Sequence, residues 1–75
     1  MTEAQIKTIF SYHPPHGDQA QRYERLRAGG GELARLINDF APESAEKTLA
    51  IRRVQEAVMY ANAAIACNEP PPEKT

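Results

Sequence analysis

From Tyr23 to Phe40 the chain places Tyr23, Leu26, Gly30, Leu33, Ile37 and Phe40 at alternating steps of three and four. That spacing draws one seam along a long α-helix, whereas a strand turns its side chains over every second residue. Prolines bound the run, with Pro14-Pro15 before it and Pro42 after it. Proline disfavours helix at the residue before it and cannot continue one. At roughly 1.5 Å per residue, a helix over 18–39 would be about 33 Å long. Gly29-Gly30-Gly31 interrupts the composition but not the phase. Each glycine costs about 0.5–1 kcal/mol against alanine inside a helix. A flexible break is one reading. A continuous helix fits better, because the seam keeps register on both sides, and its smooth glycine face would let another backbone come close.

The flanking segments are helical as well. Thr2-Glu3-Ala4-Gln5 has the form of a capping box, and Ile6, Ile9 and Phe10 follow at helical spacing. This first helix is predicted to stop near Ser11, leaving Tyr12–Gly17 as a stiff connector. Asp18 then serves as an N-cap, with Gln21 three positions on. Asp18 with Arg22, Glu24 with Arg27 and Arg35 with Asp39 are expected intrahelical pairs. Residues 39–44 form a turn, and Ser44 with Glu46 opens a third helix. Its apolar side is Leu49, Ile51, Val54, Val58, Ala61 and Ile65, and Arg52–Glu56 is an i,i+4 pair. Ala57, Ala61, Ala63, Ala64 and Ala66 narrow its last turns, which are predicted to end near Asn68. The fold expected is all-α, a short N-terminal helix plus an antiparallel two-helix hairpin, with residues 1–69 as the domain and 70–75 as an extended or disordered tail.

Such a hairpin is thin. A chain of 75 residues buries only about 60% of the surface its unfolded form exposes. One cysteine, Cys67, cannot form an internal disulfide, and no Cys/His zinc box is present. Self-association into a compact helical homo-oligomer is the remaining way to bury the apolar surface. A lone thiol and no signal-peptide pattern suggest a reducing, cytosolic setting. No apolar run approaches the roughly 20 residues of a membrane helix. Net charge is −1, and over residues 18–40 four arginines balance four carboxylates. DNA- and RNA-coating proteins carry a clustered basic face, so neither is an expected partner. A small anion, which needs only one or two cations, stays within reach.

The candidate chemistry is binding rather than catalysis. His13 and His16 could start a metal site, but they lack a third ligand, and turn residues are the plainer reading. Cys67, Ser11 and Ser44 have no base-and-orienter set, no carboxylate pair stands out, and no cofactor is implied. Tyr12 on its rigid loop is either a hydrophobic plug or a stacking platform for a base. Arg22 and Arg27 follow it and could grip a phosphate through their planar forks. Their expected charge pairs, worth about 0.3–0.5 kcal/mol each, would not resist a ligand.

Three stretches then read together. Phe10-Ser11-Tyr12-His13-Pro14-Pro15-His16-Gly17-Asp18-Gln19 precedes Gln21-Arg22-Tyr23-Glu24 and Leu26-Arg27, and Ala57-Val58-Met59-Tyr60-Ala61-Asn62-Ala63-Ala64-Ile65-Ala66 comes late. Together they resemble the hairpin domain of the phage anti-CBASS cyclic-nucleotide sponges, shared with phage proteins that sequester Thoeris signals. The resemblance implies a helical hexamer, in the cytoplasm of the infected bacterial host, that binds immune messengers without cleaving them. Cyclic dinucleotides such as 3′,3′-cyclic GMP-AMP would lie between protomers, and cyclic trinucleotides such as cyclic tri-adenylate in separate pockets. By position, Tyr12 would stack on a base and Arg27 contact a phosphate, with Ser11, His13, Pro15 and Arg22 lining the pocket. The trinucleotide pocket would fall at Cys67 and Asn68. The family pattern has Arg where this chain has Cys67, and larger residues where it has the three glycines. The alternative is a structural oligomerisation module with no small-molecule ligand.

Overall fold

The computed structural model describes residues 1–70; of the tail expected at 70–75, all but Pro70 lies outside the described residues. It contains three helices, α1 (Glu3–Phe10), α2 (Gln19–Phe40) and α3 (Ala45–Asn68). No strand occurs among the described residues. Helices α2 and α3 pack side by side as an antiparallel hairpin.

Helix α1 starts with the expected capping box. The Thr2 hydroxyl accepts from the Gln5 amide, and the Gln5 side chain accepts from the Thr2 amide at 2.8 Å. At its other end the free carbonyls are met by side chains, since the Ser11 hydroxyl donates to Lys7 and a His13 ring nitrogen donates to Thr8 at 2.6 Å. The Cys67 thiol points at the same Thr8 carbonyl at 3.9 Å, which ties α1 to the end of α3. Between α1 and α2 the chain reverses at Gly17, whose φ of 57° lies in the region that costs residues with a Cβ.

The start of α2 differs from expectation. Asp18 occupies the N-cap, but its carboxylate makes no capping bond and reaches forward to Arg22 at 3.1 Å. Gln19 closes the turn instead, its side-chain oxygen accepting from the His16 amide at 3.1 Å. Helix α2 then runs unbroken through Gly29-Gly30-Gly31. Only Gly30 faces its partner helix closely, because a Cβ placed there would lie 2.5 Å from Val58 Cγ2. Nothing stands within 4 Å of a Cβ on Gly29. One glycine of the three is thus needed for α2 to approach α3.

The seam is shifted from the one read in the sequence. Tyr23, Leu26, Gly30 and Ile37 are half-buried as expected, but Ala34 takes the place of Leu33. Leu33 is 49% exposed and Phe40 is 84% exposed. On α3, Ile51, Val54, Val58, Ala61 and Ile65 face α2, while Leu49 turns outward. The drift between a 3.5-residue pattern and a 3.6-residue helix carries Leu33 and Phe40 off the interface. Two expected charge pairs, Glu24–Arg27 and Arg35–Asp39, are not formed. Arg53 rather than Arg52 pairs with Glu56, at 2.8 Å, and Arg52 donates to the Gln55 side chain instead. Ser44 caps α3 by accepting from the Lys47 amide.

No hydrophobic side chain is fully buried among the described residues. The molecule measures 53 × 29 × 13 Å, so its smallest dimension is little more than one helix diameter of about 10–12 Å. It is a single layer of helices with two open faces.

Candidate functional site

Three features of this layer gather polar side chains. The first is a groove of about 620 Å³ along one face of the hairpin, midway down α2 and α3. Its floor is apolar, built from Gly30, Gly31, Ala34, Ile51, Val54 and Val58. Around it stand Arg27 from α2 and Arg52, Gln55 and Asn62 from α3. No carboxylate lines it, and neither Arg27 nor Arg52 has a carboxylate partner among the described residues. The Asn62 side-chain oxygen is buried and has no hydrogen-bond partner. Tyr23 leaves its hydroxyl in the same condition on α2.

The second is a recess of about 590 Å³ where the connector crosses the end of α3. Thr8, His13, Pro15, His16, Cys67 and Glu69 are among its walls. The two prolines hold the connector stiff, and His13 is fixed by its bond to the Thr8 carbonyl.

The third is a clasp across the open end of the hairpin, between the start of α2 and the residue after α3. The Glu69 carboxylate accepts two bonds from the Arg22 guanidinium, at 2.6 and 2.7 Å. It also accepts one from the Gln19 side-chain Nε2 at 2.9 Å. Gln19 is only 3% exposed, and both ends of its side chain are satisfied. The bonds from Arg22, then Gln19, hold the Glu69 carboxyl down at about 2, against the opposing cost of desolvation. Arg22 is pushed above its ordinary range by the same contact and by Asp18.

Residues 2–66 match the family model described as Acb2/Tad1, hairpin domain. The chain belongs to the Acb2/Tad1 hairpin family. This is the family of the phage anti-CBASS and anti-Thoeris sponges. No curated protein and no solved structure matches the chain.

Within this Acb2/Tad1 hairpin the site residues expected from sequence are spread over separate places. Arg27 stands at the mid-hairpin groove, while His13, Pro15 and Cys67 line the recess at the connector. Tyr12 projects into solvent at 83% exposure, and Ser11 is exposed beside it. Neither belongs to the walls of the groove that holds Arg27. Arg22 is engaged by Glu69 and Asp18. Asn68 is exposed, its side-chain amide donating to the Ala64 carbonyl at 2.9 Å. Among the described residues no three His, Cys, Asp or Glu side chains are grouped to hold a metal.

Sequence reasoning placed none of Gln19, Glu69, Arg52, Gln55 or Asn62 in a binding site, and gave Arg52 only as a partner for Glu56. Glu69 follows the last turn of α3 and meets a residue 47 positions earlier, which no local periodicity connects. Asn62 had a readable signal, a polar residue among Ala61, Ala63, Ala64 and Ile65.

Proposed function

We propose that this protein is a phage immune-evasion sponge. It binds cyclic dinucleotides such as 3′,3′-cyclic GMP-AMP, and cyclic trinucleotides such as cyclic tri-adenylate as a second class, and releases them unchanged. Holding the messenger in the cytoplasm of the infected bacterial host keeps the CBASS effector inactive. The observation that carries this reading is the family match over residues 2–66, which spans both Tyr12 and Arg27. The groove beside Arg27, with apolar floor and unpaired cations, has the chemistry such a ligand requires.

Self-association, as a homohexamer, belongs to the same proposal. A layer in which no hydrophobic side chain among the described residues is fully buried gains most by pairing its faces. Tyr12 projects from the body of its own chain, where a neighbouring copy could bring an Arg27 groove to it. The pocket would then be completed between protomers.

The test is a release experiment. Protein is mixed with 3′,3′-cyclic GMP-AMP or cyclic tri-adenylate, free ligand is measured, and the sample is heat-denatured and measured again. Depletion followed by recovery of intact messenger is the expected result. A cleaved product would make the protein an enzyme, and no depletion with any cyclic di- or trinucleotide would overturn the sponge reading. A second reading, a structural oligomerisation module, is favoured by the exposed apolar side chains alone. It predicts assembly with no ligand uptake, and indifference to Tyr12→Ala.

A further inference from the structure

We infer that the mid-hairpin groove is a two-cation anion site, with Arg52 of α3 acting as the second phosphate ligand opposite Arg27, and Asn62 and Gln55 reading the polar edge of the bound group. The ligand class, a phosphodiester bearing a base, rests on the sponge reading above. The placement of the site does not.

The two faces of the hairpin make the case by contrast. Each has a groove with one arginine from α2 and one from α3, separated by the Gly30–Val58 approach. On the far face these are Arg25 and Arg53, and Arg53 is held by Glu56 through bonds of 2.8 and 3.0 Å. The other walls there are apolar, among them Leu26, Leu33, Ala57 and Ala61. On the near face Arg27 has no ion-pair partner among the described residues. Arg52 donates only to a neutral amide oxygen, that of Gln55, at 3.2 Å. The charge of two guanidinium groups is therefore left uncompensated over an apolar floor, where an anion is attracted more strongly than in open water.

Asn62 adds a second, independent sign. A buried amide oxygen with no donor is costly to leave unmade. Asn62 lines the groove, and its buried oxygen would meet a ligand N–H there once the side chain turned outward. Gln55 offers another amide on the same wall, and Met59 beside it offers a polarizable surface for a flat ring. The groove, at about 620 Å³, lies inside the range of about 300–1,000 Å³ that small-molecule sites occupy.

The experiment compares Arg52→Gln with Arg53→Gln, its neighbour on the opposite face, by calorimetry with 3′,3′-cyclic GMP-AMP and cyclic tri-adenylate. Far-UV circular dichroism confirms that both variants are folded. In parallel, the Arg Nε–H and Asn side-chain amide signals of the wild-type protein are followed by NMR as inorganic pyrophosphate is added. The expected result is a loss of about 10- to 100-fold in affinity for Arg52→Gln with little change for Arg53→Gln. The Arg27, Arg52 and Asn62 signals should shift with pyrophosphate. If the wild type binds a cyclic nucleotide and Arg52→Gln binds it equally well, the groove assignment falls and the sponge reading stands. If the wild type binds none, the sponge reading falls and pyrophosphate decides the site. Shifts at Arg27, Arg52 and Asn62 uphold it, and shifts elsewhere or none overturn it.

Discussion

Arg22 and Glu69 hold each other through a two-bond fork across 47 residues, joining the first turn of α2 to the residue that follows α3. The contact sits at the open end of the hairpin, opposite the covalent turn at 41–44. The bonds from Arg22 and Gln19 lower the Glu69 carboxyl of the folded chain from 4.5 to about 2. The folded chain therefore binds this proton less readily than the unfolded one. The stabilisation is complete above the unfolded value and is lost as pH falls from 4.5 toward 2.

Glu69→Gln removes that dependence. Thermal melts at a series of pH values should show a wild-type Tm that falls across this acid window, and a variant Tm that starts lower and falls less. Equal acid slopes for the two proteins would mean that the clasp does not contribute in solution.

The three glycines should separate under single substitution. Gly30→Ala forces a Cβ toward Val58 Cγ2, on a stiff branched side chain, and should destabilise by about 1–3 kcal/mol. Val58→Ala in the same chain removes the obstructing methyls and should recover part of that loss. Gly29→Ala meets nothing and should stabilise by about 0.5–1 kcal/mol. Urea titration of the four proteins gives the order directly, and equal effects at 29 and 30 would contradict the close approach.

Ser44 alone supplies a side-chain cap to α3, accepting from the Lys47 amide at 3.1 Å. Ser44→Ala should cost about 1 kcal/mol, and Ser44→Asp should keep most of the stability. Helicity at a fixed denaturant concentration, read by circular dichroism, distinguishes the three proteins.

Leu33, Leu36 and Phe40 lie at steps of three and four and are 49%, 52% and 84% exposed. Putting charge on this stripe, as in the double variant Leu33→Asp/Leu36→Asp, should leave the hairpin helical and reduce its mass in sedimentation. A wild-type protein that sediments as a monomer would overturn the proposed self-association.

The helices were legible because their signals are local. The capping box at Thr2, the stops at Pro14 and Pro42 and the serine at 44 act within four residues. The seam was legible only in part, since a real helix holds slightly more residues per turn than the three-four pattern assumes. Leu33 and Phe40 were displaced outward and Ala34 inward as a result. The site was harder to read. Arg27 could be singled out from the chain, but its companions Arg52 and Asn62 come from the antiparallel helix. Which arginine of the Arg52-Arg53 pair stays unpaired depends on whether Glu56 is within reach, and the structure gives Glu56 to Arg53. Charge spacing alone suggested the opposite.

A helical hairpin ordinarily frays from its open end, so that amide protons near its termini exchange with solvent first. Here that end is fastened by Glu69, Arg22 and Gln19, and the other by the peptide chain. The weakest stretch then moves inward, to the glycine segment, where only Gly30 is pressed against the opposite helix. Breathing of the α2–α3 hairpin would begin at its waist, alongside the groove that carries Arg27 and Arg52, and a ligand seated there would slow exchange at the centre of each long helix more than at its ends.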